Sequence, residues 1–495
     1  MKRRIAVFLM IMALLMLDSP LALAQETWET GEDPAGEDEV PWDVTIVNEG
    51  NEELGEPEIR RIFEFNYIIH DDETVEIVSY HGDYFIEDLT IPSELQNLTV
   101  TAIGENAFNV VGAPTSITIP DSVTTIGDYA FAYCDLESIT IPNNVTTIGA
   151  NPFQDCDKLK SIDVASDHPL LEVIDGVLFT KTDKRLVCYP CAFEETAYII
   201  PEGTKIVGEG AFWDCSNLTS ITIPDSVTSI GKDAFCGCSG LTSISIPDSM
   251  TSIGEYAFQG SFLTSMTIPD SVTSIGDYAF EYCKSLASIT IPDSVTSIGD
   301  GAFWHCNSLT SVTIPDSVTS IGNGAFFECG SLTSITIPSG VTSIGREAFF
   351  ECGSLASITI PSGVTSIGDN AFVDCESLTS VAIPDSVTSI GEKTFCGCSG
   401  LTSVVIPDSV TSIGEVAFWG CSGLTSVTIP DSVTSIGRET FRGCDSLASI
   451  TIPDSVTTIG NNAFADCESL QLTVGRNSYA EEYCKEHALN YIYSD

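Results

Sequence analysis

Apolar residues recur along most of this chain on a 23-residue period, best read at Leu286 to Ser308, LASITIPDSVTSIGDGAFWHCNS. Leu286, Ile289 and Ile291 lie on a stretch whose other side is Ser288 and Thr290, the alternation of a strand with one face buried. Pro292 lacks the N–H that a ladder needs, so the strand ends there and Pro-Asp-Ser turns the chain. Val295 and Ile298 predict a second short strand, with Thr296 and Ser297 facing out, and Gly299 allows another change of direction. Phe303 and Cys306, three apart, predict a single helical or 3₁₀ turn that also buries Ala302. About eight side chains per unit point inward, too few to fold one unit alone. Neighbouring units must stack, so that each inward residue sits on its own copy in the next coil.

The Ile-Pro pair that closes each first strand marks the coils. It occurs at Pro92, Pro120, Pro142 and Pro201, then from Pro224 to Pro453 at steps of 23 with one step of 22, which gives about 15 coils. The short steps lose a residue just before the leucine, as at Ser261-Phe262-Leu263, and this places that loop on the surface. Between Pro142 and Pro201 the gap is long. LLEVIDGVLFTKTDKRLVCYPC within it has two strand-like runs joined by Thr182-Asp183, and predicts an enlarged coil with a projecting hairpin at 157–200.

The ends differ from the middle. Lys2, Arg3 and Arg4, the apolar run Ile5 to Leu17 and the sequence Leu21-Ala22-Leu23-Ala24 predict a signal peptide over 1–24, too short to span a bilayer. Residues 25–62 are acidic and Gly/Pro-punctuated, which predicts a disordered linker. Residues 63–110 turn extended and predict an N-terminal β cap and the first coil, followed by the solenoid proper over 111–470. Residues 471–495 close the stack, with Ser478 as N-cap of a short helix and Glu481 three residues on.

The unit LxxIxIPxxVxxIGxxAFxxCxx resembles the BspA-like leucine-rich repeat family, as do the insert IDGVLFTK and the closing NSYAEEYCKEH. The resemblance covers roughly residues 63 to 495. It implies a mainly β fold with short 3₁₀ or helical turns, a curved right-handed leucine-rich-repeat solenoid. It also implies an exported bacterial protein, secreted or cell-surface associated, that adheres to host proteins or to other cells, and it brings no catalytic residues.

With 19 Lys and Arg against 70 Asp and Glu, the formal charge is −51 at pH 7, which argues against nucleic acid or an anionic membrane surface as partner. The five histidines, His70, His81, His168, His305 and His487, are scattered without nucleophile or metal partners at recognisable spacing, so no enzyme and no cofactor are expected. Most of the 18 cysteines stand three residues after the repeat phenylalanine. Cys283, Cys306, Cys329, Cys352 and Cys375 beside Phe280, Phe303, Phe326, Phe349 and Phe372 are expected as two buried columns, the thiols acting as small hydrophobes. Disulfides between adjacent coils are the rival reading. Cys188-Tyr-Pro-Cys191 reads as a local disulfide or free thiols rather than a redox pair.

Asp225, Asp248, Asp270, Asp293 and Asp316, resumed at Asp385, Asp408, Asp431 and Asp454, form a row of like charges. Weak calcium binding would relieve them, though turn aspartates splayed into water are preferred. The outward strand residues hardly change between coils, whereas the two positions after each glycine, the two after each phenylalanine and the loop after each cysteine do. Recognition is therefore expected on that edge, with Trp304, Phe327 and Phe350 as a row and Trp213 and Trp419 at equivalent places. The expected partners are proteins or glycans of a cell surface or matrix. Adhesion comes first, and a polysaccharide-binding module or a passive spacer are the alternatives.

Overall fold

The computed structural model describes residues 45–48, 59–62, 64–82, 86–109 and 114–494. The leader and most of the acidic segment lie outside the described residues. Nearly everything described is β-strand or turn, with one α-helix, in a solenoid of about 18 turns. Sequence reading gave about 15 because it counted Ile-Pro pairs. Ser161–Val164, Gln471–Val474 and Tyr491–Tyr493 join the first-strand ladder without that pair.

One coil shows how the pattern folds. Ser288–Thr290 pairs in parallel with Ser311–Thr313, residue on equivalent residue, and Ser297–Ile298 does the same with Ser274–Ile275. Between the two strands Val295 N–H donates to Pro292 C=O at 3.1 Å, closing the turn. Leu286, Ile289, Ile291, Val295, Ile298, Ala302, Phe303 and Cys306 are all buried, so the eight inward positions of the repeat are the core.

The third side of the coil is not a helical turn. Gly301 and His305 have φ of +56° and +55°, so left-handed residues interrupt any helix. The peptide N–H groups of Gly301, Phe303 and His305 instead donate to Asn323, Ala325 and Phe327 of the next coil, at 2.7, 2.9 and 2.8 Å. Those of Trp304 and Cys306 close back onto Gly301 and Phe303. Hydrogen bonds between coils thus run down all three sides, and this satisfies backbone that would otherwise be buried unpaired.

The expected linker ends earlier than residue 62. Thr45–Asn48 pairs with Ile59–Ile62, which pairs with Phe65–Ile69, which in turn forms a hairpin with Thr74–Tyr80. Edge pairing thus places residues 45–48 and 59–62 in strands although the segment's composition signals disorder. Thr74–Tyr80 then pairs in parallel with Leu98–Ile103 and starts the second-strand ladder. At the other end, helix α1 (Tyr479–Glu486) is capped by Ser478, whose hydroxyl accepts from Glu481 N–H at 3.1 Å. The Glu481 carboxylate accepts from Asn477 N–H at 2.6 Å, one residue before the cap's own N–H that the capping-box pattern specifies. Tyr483 of α1 meets Phe464 edge-on and closes the phenylalanine column.

Within the insert, residues 170–191 hold three strands where two were expected. Leu171–Ile174 and Val177–Thr180 form a hairpin around Asp175-Gly176, and Val177–Thr180 pairs again with Arg185–Cys188. Arg185–Cys188 then lies parallel to Ile206–Val207 and resumes the second ladder. The core divides here into two clusters, one ending at Val187 and Cys188 and the other containing Tyr189 and Phe212.

Candidate functional site

Side chains repeat with the coils, so any site here is a row. The phenylalanine column runs through the core. Phe280, Phe303, Phe326, Phe349 and Phe372 are fully buried and stack with ring centroids 5.3 to 5.5 Å apart. Beside it Cys306, Cys329, Cys352 and Cys375 each donate S–H to the carbonyl of the preceding coil's phenylalanine at 3.1 to 3.2 Å, and Cys283 does the same to Phe258. Burial pushes these thiols well above their ordinary pKa. They are therefore neither thiolate nor accessible. Maleimide applied to the native protein at pH 7.5 is expected to leave Cys306, Cys329 and Cys352 unlabelled, and to label all three in guanidinium, as read by peptide mass. Native labelling within minutes would refute this packing.

Cys188 and Cys191 do not pair with each other. Cys191 is bonded to Cys215 of the next coil, and Cys188 is buried and free. A bridge between coils thus occurs once among the described residues, beside the insert, where Tyr189 replaces phenylalanine in the column and stacks on Phe212. Spacing alone could not show it, because Cys191 lies two residues after its aromatic rather than three.

On the variable edge Trp304, Phe327 and Phe350 are half-buried. The Trp304 ring lies 3.8 Å from Phe327 at 9°, and Phe327 lies 4.6 Å from Phe350 at 1°. Tyr256 and Tyr278, stacked at 5.0 Å, extend the row, with Tyr278 tilted 6.2 Å from Trp304. Sequence reading missed the two tyrosines because they follow glycine rather than phenylalanine. Gly324 explains the junction: a Cβ there would stand 2.5 Å from the Trp304 ring, and Gly301 leaves the same space for Tyr278. Beyond Phe350 the row passes into Val373, Cys396 and Val416. Trp213 and Trp419 do not join it. Cys236, Gln259 and Glu281 occupy the coils between Trp213 and Trp304, and Trp419, 41% exposed, stands between Cys396 and Arg442.

Below the aromatic row, His305 Nδ1 is 2.8 Å from Glu328 Oε2, and the imidazole stacks on Tyr282 at 4.6 Å. Burial, helped by Lys284, holds His305 below its usual pKa, so near neutrality the contact is a hydrogen bond between a neutral ring and a carboxylate. The turn aspartates do not converge. Among the described residues, the three carboxylates whose oxygens lie within 4.8 Å of one another are Asp155, Asp157 and Asp214, brought together where the insert ends.

Burial and then its neighbours Asp157 and Asp214 raise Asp155 to about 7. Its folded pKa therefore exceeds the unfolded value of about 3.9. The folded state holds the extra proton, so this site's contribution to stability is complete below about pH 4 and declines as pH rises towards 7. Asp155→Asn is expected to stabilise the protein by about 1–2 kcal/mol at pH 7.5, after allowance for solvent screening, and to change little at pH 4. Melting curves at the two pH values test this, and equal effects at both would refute it.

Two stacked strand ladders, a turn seam and an aliphatic core with one leucine per coil define a leucine-rich-repeat solenoid. The chain belongs to the family described as the BspA type leucine rich repeat region, whose profile matches residues 74–196, 184–308, 251–379 and 365–486. This is a family of protein-interaction and surface proteins, typically non-enzymatic. The chain is similar to a leucine-rich repeat protein from Bacteroides ovatus ATCC 8483, with 28% identity over 88% of this chain and 99% of that one and a TM-score of 0.50. It is also similar to a leucine rich cell surface protein from Faecalibacterium prausnitzii A2-165, with 28% identity over 87% and 98% and a TM-score of 0.40. No curated protein matches the sequence. Among the described residues no helix is long and apolar enough to cross a membrane.

Proposed function

We propose that this chain is an exported, surface-associated adhesion protein that binds a protein partner along its variable edge. The observation that carries this reading is the half-buried aromatic row Tyr278, Trp304, Phe327 and Phe350 on the one side of the coil whose residues change between repeats. Stacking supplies rigidity without closing the row off, and partly exposed aromatic anchors are the side chains that concentrate binding energy at interfaces. The constant sides carry mostly serine and threonine outward, in register from coil to coil, with few exceptions such as Ala382 and Val405, and a surface with so little variation has little to distinguish one protein from another. That uniformity favours a repeating polysaccharide as the second reading.

The test is a screen of the protein from Gln25 onward against immobilised matrix proteins and polysaccharides at about 0.15 M salt, where charge is screened beyond about 8 Å. Saturable binding to a protein is expected, and Trp304→Thr with Phe350→Thr should abolish it while melting falls only a few degrees. Binding that survives both replacements, or that grows with glycan chain length, would overturn the reading.

A further inference from the structure

The aromatic row does not stand alone. Glu328, Glu351 and Asp374 occupy one place in three successive coils, two residues after the column phenylalanine, and their N–H groups donate to Phe350, Val373 and Cys396 of the following coils at 2.7, 2.8 and 2.8 Å. All three have left-handed backbones, with φ of +51°, +52° and +55°. In five other coils the same place is filled by Gly237, Gly260, Gly397, Gly420 and Gly443, for which that conformation carries no steric cost, and in others by Tyr133, Asp155, Asp214, Tyr282, His305 and Asp466. What distinguishes this stretch is that carboxylates fill three successive coils at a place whose left-handed backbone suits glycine. They also oppose one another: burial, followed by Glu328, Asp374 and Glu376, raises Glu351 above its ordinary range. His305 and Lys284 already engage Glu328 at one end of the column, and the like charges of Glu351 and Asp374 beside apolar rings are what a cationic partner would relieve.

The rings set how such a partner would lie. Stacking occupies the faces of Trp304, Phe327 and Phe350 and turns their edges outward, so a cation cannot sit over a face inside the row. The aliphatic stem of a lysine or arginine can lie along those edges while its charged head reaches the carboxylates. At the Tyr256 end, where a face is open, a lysine already joins a ring and a carboxylate by a face contact: Lys232 Nζ lies over the Tyr256 ring, 5.5 Å from its centre, and 3.4 Å from Glu255 Oε1.

Resting on the edge-binding reading above, we propose that the row Trp304, Phe327 and Phe350 with the column Glu328, Glu351 and Asp374 is a docking surface for a basic polypeptide segment, bearing lysine or arginine, on a partner protein. A net charge of −51 steers such a segment inward from a distance, and the two rows fix where it seats.

The probe is a fluorescent 12-residue peptide of alternating arginine and serine, titrated against the protein from Gln25 onward at about 0.15 M salt. Glu328→Gln, Glu351→Gln and Asp374→Asn together should weaken it about tenfold or more, since charge-assisted pairs are lost. Asp270→Asn, Asp293→Asn and Asp316→Asn, the same charge change on the turn row, should weaken it less than about twofold. The first variant sheds like-charge repulsion, so its melting temperature should hold or rise. Equal weakening by both variants would show only diffuse attraction and overturn the proposal, as would no weakening by the first. If a protein found in the screen lost binding to the Trp304→Thr and Phe350→Thr variant but kept it in the carboxylate variant, the edge would stand and the basic partner would fall.

Discussion

Phe326→Ala is expected to destabilise the protein by about 3–5 kcal/mol and to break the cooperativity of its unfolding. Phe326 is fully buried, and its ring lies 5.3 Å from Phe303 and 5.5 Å from Phe349, nearly parallel to both. Truncation removes two ring contacts, each worth about 0.5–1.5 kcal/mol beyond area burial, and leaves a cavity between two rings that strand pairing holds at fixed separation. The neighbours cannot close on it without breaking the ladders at Ser311–Thr313 and Ser334–Thr336. In a stack stabilised by nearest-neighbour interfaces a weak link near the middle uncouples the coils on either side. Scanning calorimetry should show the main transition falling in temperature or dividing in two. Phe262→Ala is the control, because that ring is 45% exposed and should cost less than about 1 kcal/mol. A loss below about 1 kcal/mol for Phe326→Ala would mean the column is filler and not the axis of the core.

The repeating core was legible because every inward position is apolar in nearly every coil, and period-two and turn signals hold wherever one residue type fills one place many times. The coils left out of the count follow from the same fact, the strand at Gln471–Val474 being legible but not counted as a coil. Ser161–Val164 and Gln471–Val474 pair as the others do, but neither is closed by the Ile-Pro pair that served as the marker. The third side misled for another reason: a spacing of three between Phe303 and Cys306 fits a helical turn equally well, and only the left-handed residues Gly301 and His305 distinguish the two. One of those is a histidine, a far weaker sequence signal for that conformation than glycine.

The edge was legible in part. Variation between coils points to it, and Trp304, Phe327 and Phe350 could be found by equivalent position. Tyr278 could not, because it reaches Trp304 from a different place in its own coil, across the space that Gly301 leaves. Likewise Asp155 and Asp214 are 59 residues apart in sequence, the length of the enlarged repeat, and come together only because the insert folds as an added meander.

The glycine that follows each second strand shows how a residue can be placed correctly and explained wrongly. Its recurrence suggests a backbone turn that only glycine can make, yet Gly299, Gly322 and Gly345 are not in the left-handed region. What they share is proximity. A Cβ on Gly345 would stand 2.5 Å from the carbonyl carbon and oxygen of Gly322 and 2.6 Å from the N of Asn323. Each glycine therefore lets its coil settle onto the backbone of the one before, and the obstacle is main chain, which cannot rotate away as a side chain could. Gly345→Ala should force the Ile344 and Ile321 coils apart, straining the bond from Gly345 N–H to Ile321 C=O, now 3.1 Å. The expected cost is about 2–4 kcal/mol, above the usual range for a surface substitution and comparable to overpacking a core. Gly353→Ala, in the loop after Cys352 where an added Cβ meets nothing within 4 Å, should be neutral or slightly stabilising through the unfolded chain. Denaturant midpoints for the two variants make the comparison. If both fall by the same amount, glycine matters here for flexibility and not for the approach of one coil to the next.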